Sequence, residues 1–262
     1  MGFSPDWLAL RDPADRAARD RALLQRAATA AGPAPLVVDL GCGTGATWRA
    51  LAPLLPEGTR WRLVDNDPAL LEIAKANVGA TADCVVADLA GIDALPLQGA
   101  TLITASALLD LMPEAWLSAF AARVQAPFYA ALSYDGRMEW APPDDRDGAV
   151  TAAFNRHQRG DKGLGPALGP DAADRAEAHF TARGFAVHRA DSPWRIGPDM
   201  AALQRELTHG IAMAAGETGL PDAERWGRDR DDAADRTSCI VGHVDFLALP
   251  PPRPEETPDV RH

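Results

Sequence analysis

Val37-Val38-Asp39-Leu40-Gly41-Cys42-Gly43-Thr44-Gly45 decides how this chain is read. A short apolar run ends in an acid and turns at once into three alternating glycines. A helix-like segment, Ala46 to Leu55, follows. Strand, glycine turn and helix start form the arrangement that lets backbone approach a nucleotide-like ligand closely.

Two further strands repeat the pattern of an apolar run closed by an acid. Arg60 to Val64 reads as the second strand, with Asp65-Asn66-Asp67-Pro68 behind it. Asp65 lies 20 residues beyond Gly45, the separation at which a carboxylate at a strand end meets ribose hydroxyls. Asp67 before Pro68 reads instead as a helix cap with proline at the first helical position. Cys84 to Ala87 reads as a third strand, closed by Asp88-Leu89. Asp39, Asp65 and Asp88 thus fall at one edge of one sheet, though each alone could be a solvated loop acid.

The pattern D-x-G-x-G-x-G over Asp39–Gly45 resembles motif I of the class I S-adenosylmethionine-dependent methyltransferases. The resemblance implies a cofactor site built from Asp39, Gly41, Cys42, Gly43, Thr44 and Gly45. It adds Asp65 and Asn66 at the ribose, Asp88 and Leu89 at the adenine, and Ser106 after the fourth strand. Gly41-x-Gly43-x-x-Ala46 also fits, loosely, the fingerprint of a dinucleotide site, so an NAD(P)-dependent oxidoreductase stays open. A non-catalytic S-adenosylmethionine-binding or partner module is the third reading. Asp39 before the first glycine and Asp88 after strand 3 favour the methyl donor, whose sulfonium tolerates acids better than a pyrophosphate does.

Outward from the motif the chain alternates strand and helix. Asp12-Pro13-Ala14-Asp15 is expected to open a helix running to about Ala31. Leu36–Leu40, Thr101–Ala105 and Phe128–Ser133 complete the first five strands, with Gly184–His188 and Cys239–Leu247 closing the sheet. The expectation is an α/β fold: a doubly wound, mostly parallel seven-stranded sheet with helices on both faces. Residues 1–34 read as a helical lid and 35–249 as the catalytic domain. Within it, 35–134 is the cofactor half, 135–235 the substrate side and 236–249 the last strand. Helical insertions, Pro198 to Gly216 and Pro221 to Asp235, depart from the family's short final hairpin. The proline- and acid-rich stretch 250–262 reads as disordered.

Composition narrows the partners. A net charge of −11 argues against a nucleic-acid substrate, which calls for a basic face. No apolar run approaches membrane-spanning length, and the opening Met1-Gly2-Phe3-Ser4-Pro5-Asp6 lacks the pattern of an export signal. A cytoplasmic protein is expected, with a homodimer left open. Three scattered cysteines, Cys42, Cys84 and Cys239, suggest neither a disulfide framework nor a metal site.

The substrate-side candidates stand on residue choice. The chain has two lysines, Lys75 and Lys162, and three asparagines, a bias that fits a GC-rich bacterial genome. One of each nevertheless falls in Asn155-Arg156-His157-Gln158-Arg159-Gly160-Asp161-Lys162. Asn155, Arg159 and Lys162 are therefore candidates to hold an acidic group on a small-molecule acceptor, with His157 as a proton acceptor. A solvated helix end would carry the same cations. Asp110, after strand 4, reads either as a base or as a cap of the following helix, and Tyr134 as a third catalytic candidate. In the lid, Trp7 and Arg11 are candidates to bind substrate, and an arginine there, Arg11 or Arg19, could meet the methyl donor's carboxylate; an amphipathic helix that only covers the sheet is the alternative reading.

Overall fold

The computed structural model describes residues 3–252; Met1, Gly2 and 253–262, most of the stretch read as a disordered tail, lie outside the described residues. One sheet organises the chain. Its strands are β1 (Leu36–Leu40), β2 (Arg60–Asp65), β3 (Ala82–Val86), β4 (Leu102–Ser106), β5 (Phe128–Ala141), β6 (Ala186–Asp191), β7 (Trp194–Ile196) and β8 (Ser238–Leu249). They lie in the order β3-β2-β1-β4-β5-β8-β6, with β7 also paired to β8. β8 alone runs against its neighbours β5, β6 and β7. The order reverses beside β1, so the crevice of a doubly wound sheet opens at the carboxyl ends of β1 and β4.

Among the described residues nine α-helices flank the sheet: α1 (Pro5–Ala18), α2 (Arg21–Ala30), α3 (Ala46–Leu51), α4 (Pro68–Val78), α5 (Glu114–Arg123), α6 (Asp147–Gln158), α7 (Ala172–Ala182), α8 (Ala201–Glu217) and α9 (Ala223–Asp231). Adjacent residues of β1 serve opposite cores. Val37 packs with Leu63, Leu71, Leu102 and Leu23 on one face, and Val38 with Ile103, Phe120, Phe128 and Phe180 on the other. That is why the parallel strands read as continuous apolar runs. A third cluster, around Trp140, Trp194, Ile211 and Trp226, gathers α6, α8 and α9 against the outer halves of β5 and β8. Gly227 lets α9 lie on α8, since a Cβ there would sit 2.6 Å from that of Ala212.

Three expectations need correction. The single helix from Asp12 is two. Ser4 caps α1 by accepting from the Trp7 amide at 3.1 Å, with Pro5 at the first turn, and Asp20 caps α2 by accepting from Leu23 at 2.7 Å. Pro13 therefore sits inside α1 rather than at its start. Second, β5, expected to end at Ser133, runs on to Ala141 with Asp135 and Gly136 inside it. Register shifts between Ala130 and Ser133 and between Tyr134 and Met138 take up the extra residues. Third, the outer edge expected as one strand at Gly184–His188 is divided into β6 and β7, interrupted where Ser192 N donates to His243 O at 2.8 Å and Pro193, which has no N–H, follows; this division gives eight strands among the described residues.

Candidate active site

The glycine turn takes the shape its residues permit. Gly41, Gly43 and Gly45 have φ of 62°, 53° and 88°, the left-handed region that disfavours a Cβ. Space is short as well, since a Cβ on Gly43 would meet Leu8 of α1 at 3.2 Å. Asp65, the last residue of β2, braces the turn. Its Oδ2 accepts from the Gly43 amide at 2.8 Å and its Oδ1 from the Asp67 amide at 3.0 Å. Each oxygen keeps a lone pair for a further donor. Asp67 caps α4 by accepting from Ala69 at 2.8 Å.

Asp39 lies beneath the turn, within β1. Its Oδ1 accepts from the Thr104 hydroxyl at 2.8 Å, while Oδ2 is buried without a protein partner. Burial pushes this carboxyl up to about 6, against the pull of its Thr104 and Thr47 contacts and of Arg19. Arg19, at the junction of α1 and α2, is buried too. Its Nη2 donates to Ser106 Oγ at 2.9 Å, and its Nε and Nη1 have no protein partner.

A cavity of about 390 Å³ opens over these groups. Gly41, Cys42, Gly43, Thr44, Asp65, Asn66, Asp88, Leu89 and Ser106 all line it, so the sheet topology brings the three strand ends together. Gly45 instead sets the start of α3, and Asp39 lies below the wall. Asp88 is exposed and turns its own loop, accepting from the Ala90 amide at 2.9 Å. The opposite wall comes from Leu8 and Arg11 of α1, from Leu108, Leu111 and Met112 after β4, and from Lys162 to Leu164. A larger, more open groove between α8 and α9, about 920 Å³, shares no residue with this cavity.

The substrate-side candidates separate. Arg11 reaches the cavity, but its guanidinium is a bidentate partner of Asp15, at 2.9 and 3.1 Å, and lies 4.9 Å over the Trp194 ring. Trp7 packs edge-on against the same Trp194 and does not line the cavity. Lys162 does line it, its Nζ within 3.2 Å of His157 Nδ1 and 3.1 Å of His157 O. His157 itself stands behind Lys162 and meets Glu217 of α8 at 2.9 Å. Arg159 turns away to a surface pair with Asp171, because the chain bends after α6. Tyr134 donates to Asn155 Oδ1 at 2.7 Å and Asn155 donates to Gly136 O at 3.0 Å. Neither lines the cavity; burial pushes the Tyr134 phenol well above its ordinary value. Asp110 caps no helix, since α5 begins after Pro113. Its Oδ1 is buried without a partner, and burial pushes its carboxyl up to about 6 despite the nearby charges of Arg11 and Lys162.

The apolar wall was invisible in the sequence, where Leu8, Leu108, Leu111, Met112 and Leu164 look like any core residues. Ala107 carried no signal either. It holds φ of 50° on the cavity edge, fixed by its amide donating to Ala131 O at 2.9 Å. Among the described residues no three His, Cys, Asp or Glu side chains converge as a metal site. No helix among them is long and apolar enough to cross a membrane.

Residues 37–127 match the family described as Methyltransferase domain. The match spans about a third of the chain and is to a methyltransferase domain. The methyl donor of that domain family is S-adenosylmethionine. Solved structures share the domain's fold. The chain is 14% identical to the cyclopropane synthase MmaA2 from Mycobacterium tuberculosis, with a TM-score of 0.53 and 94% of each chain covered. It is 15% identical to the YcgJ protein from Bacillus subtilis, with a TM-score of 0.52, covering 88% of this chain and 98% of that one. A chain from a complex of the Haloferax volcanii Trm112 methyltransferase activator is 17% identical, with a TM-score of 0.53 and 94% of both chains covered. At these identities the likeness is one of fold. No curated protein sequence matches the chain.

The residues at the methyltransferase cavity suit this cofactor. Two buried groups of opposite charge, Asp39 Oδ2 under the glycine turn and the Nε and Nη1 of Arg19 behind Ser106, lack protein partners among the described residues, though neither residue lines the cavity itself. An amino acid moiety offers an ammonium to the first and a carboxylate to the second. The three glycines allow backbone approach.

Proposed function

We propose that this protein transfers the methyl group of S-adenosylmethionine to a small-molecule acceptor held between the glycine turn and the 160s loop. One observation carries the reading. The chain's own segments, α1 and Lys162–Leu164, line the same cavity as Gly41–Thr44, Asp65 and Ser106. A cavity walled in this way admits a metabolite more readily than a polymer, in keeping with the net charge of −11.

S-adenosylmethionine, when bound, supplies a methyl carbon already activated by a sulfonium. The protein's tasks are therefore orientation, exclusion of water and, for an acceptor that must lose a proton, a base. The free lone pairs of Asp65 are assigned to the ribose and the side of Leu89 to the adenine. Arg19 and Asp39 are assigned to the amino acid end. Asp110, next to Leu111 on the cavity wall though not itself lining the cavity, is the candidate base, because its buried Oδ1 has no hydrogen-bond partner among the described residues and burial raises its pKa. α1, tied down by the Asp12–Arg49 ion pair at 2.6 Å, keeps water from the cavity as a lid. A cytoplasmic location and a one-domain organisation over 35–249 accompany this reading.

The test is turnover. Incubation with S-adenosylmethionine carrying a labelled methyl, against separate metabolite, RNA and protein fractions, is expected to label the metabolite fraction. Label confined to RNA or protein contradicts the small-molecule reading and leaves the domain assignment standing.

A further inference from the structure

Lys162 is the side chain on the cavity wall whose positive charge no carboxylate among the described residues neutralises by contact. Arg11, the other cation there, is paired with Asp15 through both its Nε and its Nη2. Lys162 is held from behind. An ammonium has donors only, so the His157 ring nitrogen 3.2 Å away and the His157 carbonyl 3.1 Å away both accept from it. With Nδ1 accepting, the His157 proton lies on Nε2 and is donated to Glu217 Oε2 at 2.9 Å. Two of the three Nζ protons are thus engaged on His157, and one remains.

The loop that carries Lys162 is itself fixed. Asp161 Oδ1 accepts from the amides of Gly163 and Gly165 at 2.7 and 2.9 Å. Leu168 N donates to Met112 O at 2.9 Å, docking the loop on the segment after β4. Beside Lys162 the wall is apolar, formed by Leu108, Leu111, Met112 and Leu164.

We propose that Lys162 binds the carboxylate of the acceptor, which is a small monocarboxylic acid with an apolar body, and that His157 and Glu217 position the lysine. This rests on the methyltransferase reading of the cavity and adds the acceptor's chemical class. One remaining donor and one uncompensated charge match a monoanion. A phosphate dianion would need more donors than the wall offers, since Arg159 is engaged with Asp171 on the surface.

The test is calorimetry with the full chain saturated with S-adenosylhomocysteine. The probes are acetate, 4-hydroxybenzoate, phenylacetate and indole-3-acetate, each beside its neutral amide. At least one aromatic acid is expected to bind ten-fold or more tightly than its amide. Lys162→Met removes that preference while binding of S-adenosylhomocysteine persists. Lys162→Arg keeps part of it, and His157→Phe weakens acid binding while sparing the amide. Acids and amides binding alike, or no acid binding while S-adenosylhomocysteine does, overturns the assignment. Failure of S-adenosylhomocysteine to bind strikes the underlying methyltransferase reading instead.

Discussion

Asp39 shows how a single residue serves a site at the expense of the fold. Its carboxylate is buried, one oxygen bonded to Thr104 and the other unpartnered. The rise from 3.8 to about 6 means that the folded protein disfavours the charged form by about 3 kcal/mol. Between those values the folded state takes up a proton that the unfolded state does not, so this group stabilises the fold progressively as pH falls from about 6 to 3.8. Above about 6 the full penalty stands. Asp39→Asn is therefore expected to raise the melting temperature at pH 8, with the gain shrinking toward pH 4, while weakening S-adenosylmethionine binding. A mutant that melts lower at pH 8 than the wild type contradicts this account of Asp39. The role of Asp39 at the turn could be suspected from the sequence, but its energetic state could not. That state depends on Thr104, Thr47 and Arg19, brought near from three other elements.

The elements show what local pattern can and cannot convey. β1 and β4 were legible because each is a short apolar run, and a parallel strand buried on both faces needs nothing more, while β2 and β3 were marked by the acid and helix signals behind them. β5 was cut short because Asp135-Gly136 looks like a turn, whereas pairing with β8 turns the extra residues into a bulge. The device at the first irregularity is Asp245 of β8. It accepts from Leu132 N at 3.0 Å, where Leu132 has φ of 57°, from Tyr129 OH at 2.8 Å and from Asp20 N at 3.1 Å. One buried carboxylate thus joins β8, the β5 bulge and the start of α2. Nothing near Asp245 in the sequence marks it, since its partners lie more than a hundred residues away. Asp245→Ala strands three donors and is expected to cost about 3 kcal/mol or more. For a chain of this size that lowers the melting temperature by about 6 °C or more. A shift within about 2 °C in differential scanning calorimetry contradicts the bracing role.

At the scale of the molecule, the cofactor half and the substrate half differ in legibility for a physical reason. Phosphate- or nucleoside-binding turns are local, so Gly41–Gly45 and Asp65 announce themselves within one strand–turn–helix–strand unit. The acceptor side is assembled from α1, the segment after β4 and the 160s loop, which meet only in three dimensions. Lys162 was found by its rarity, yet Arg159, Asn155 and Tyr134 in the same neighbourhood are engaged with Asp171, Gly136 and one another. Sequence proximity to a ligand-facing lysine does not carry a side chain into the cavity. The central claim is that the cavity under α1 receives S-adenosylmethionine through the glycine turn and Asp65. Titration calorimetry of the wild type and Asp65→Ala with S-adenosylhomocysteine and with NAD tests it most directly. The account predicts saturable binding of S-adenosylhomocysteine and none of NAD. It also predicts a loss of about 1.5–3 kcal/mol in Asp65→Ala, about ten- to a hundred-fold in Kd. Tighter binding of NAD, or S-adenosylhomocysteine affinity unchanged by the substitution, would contradict it.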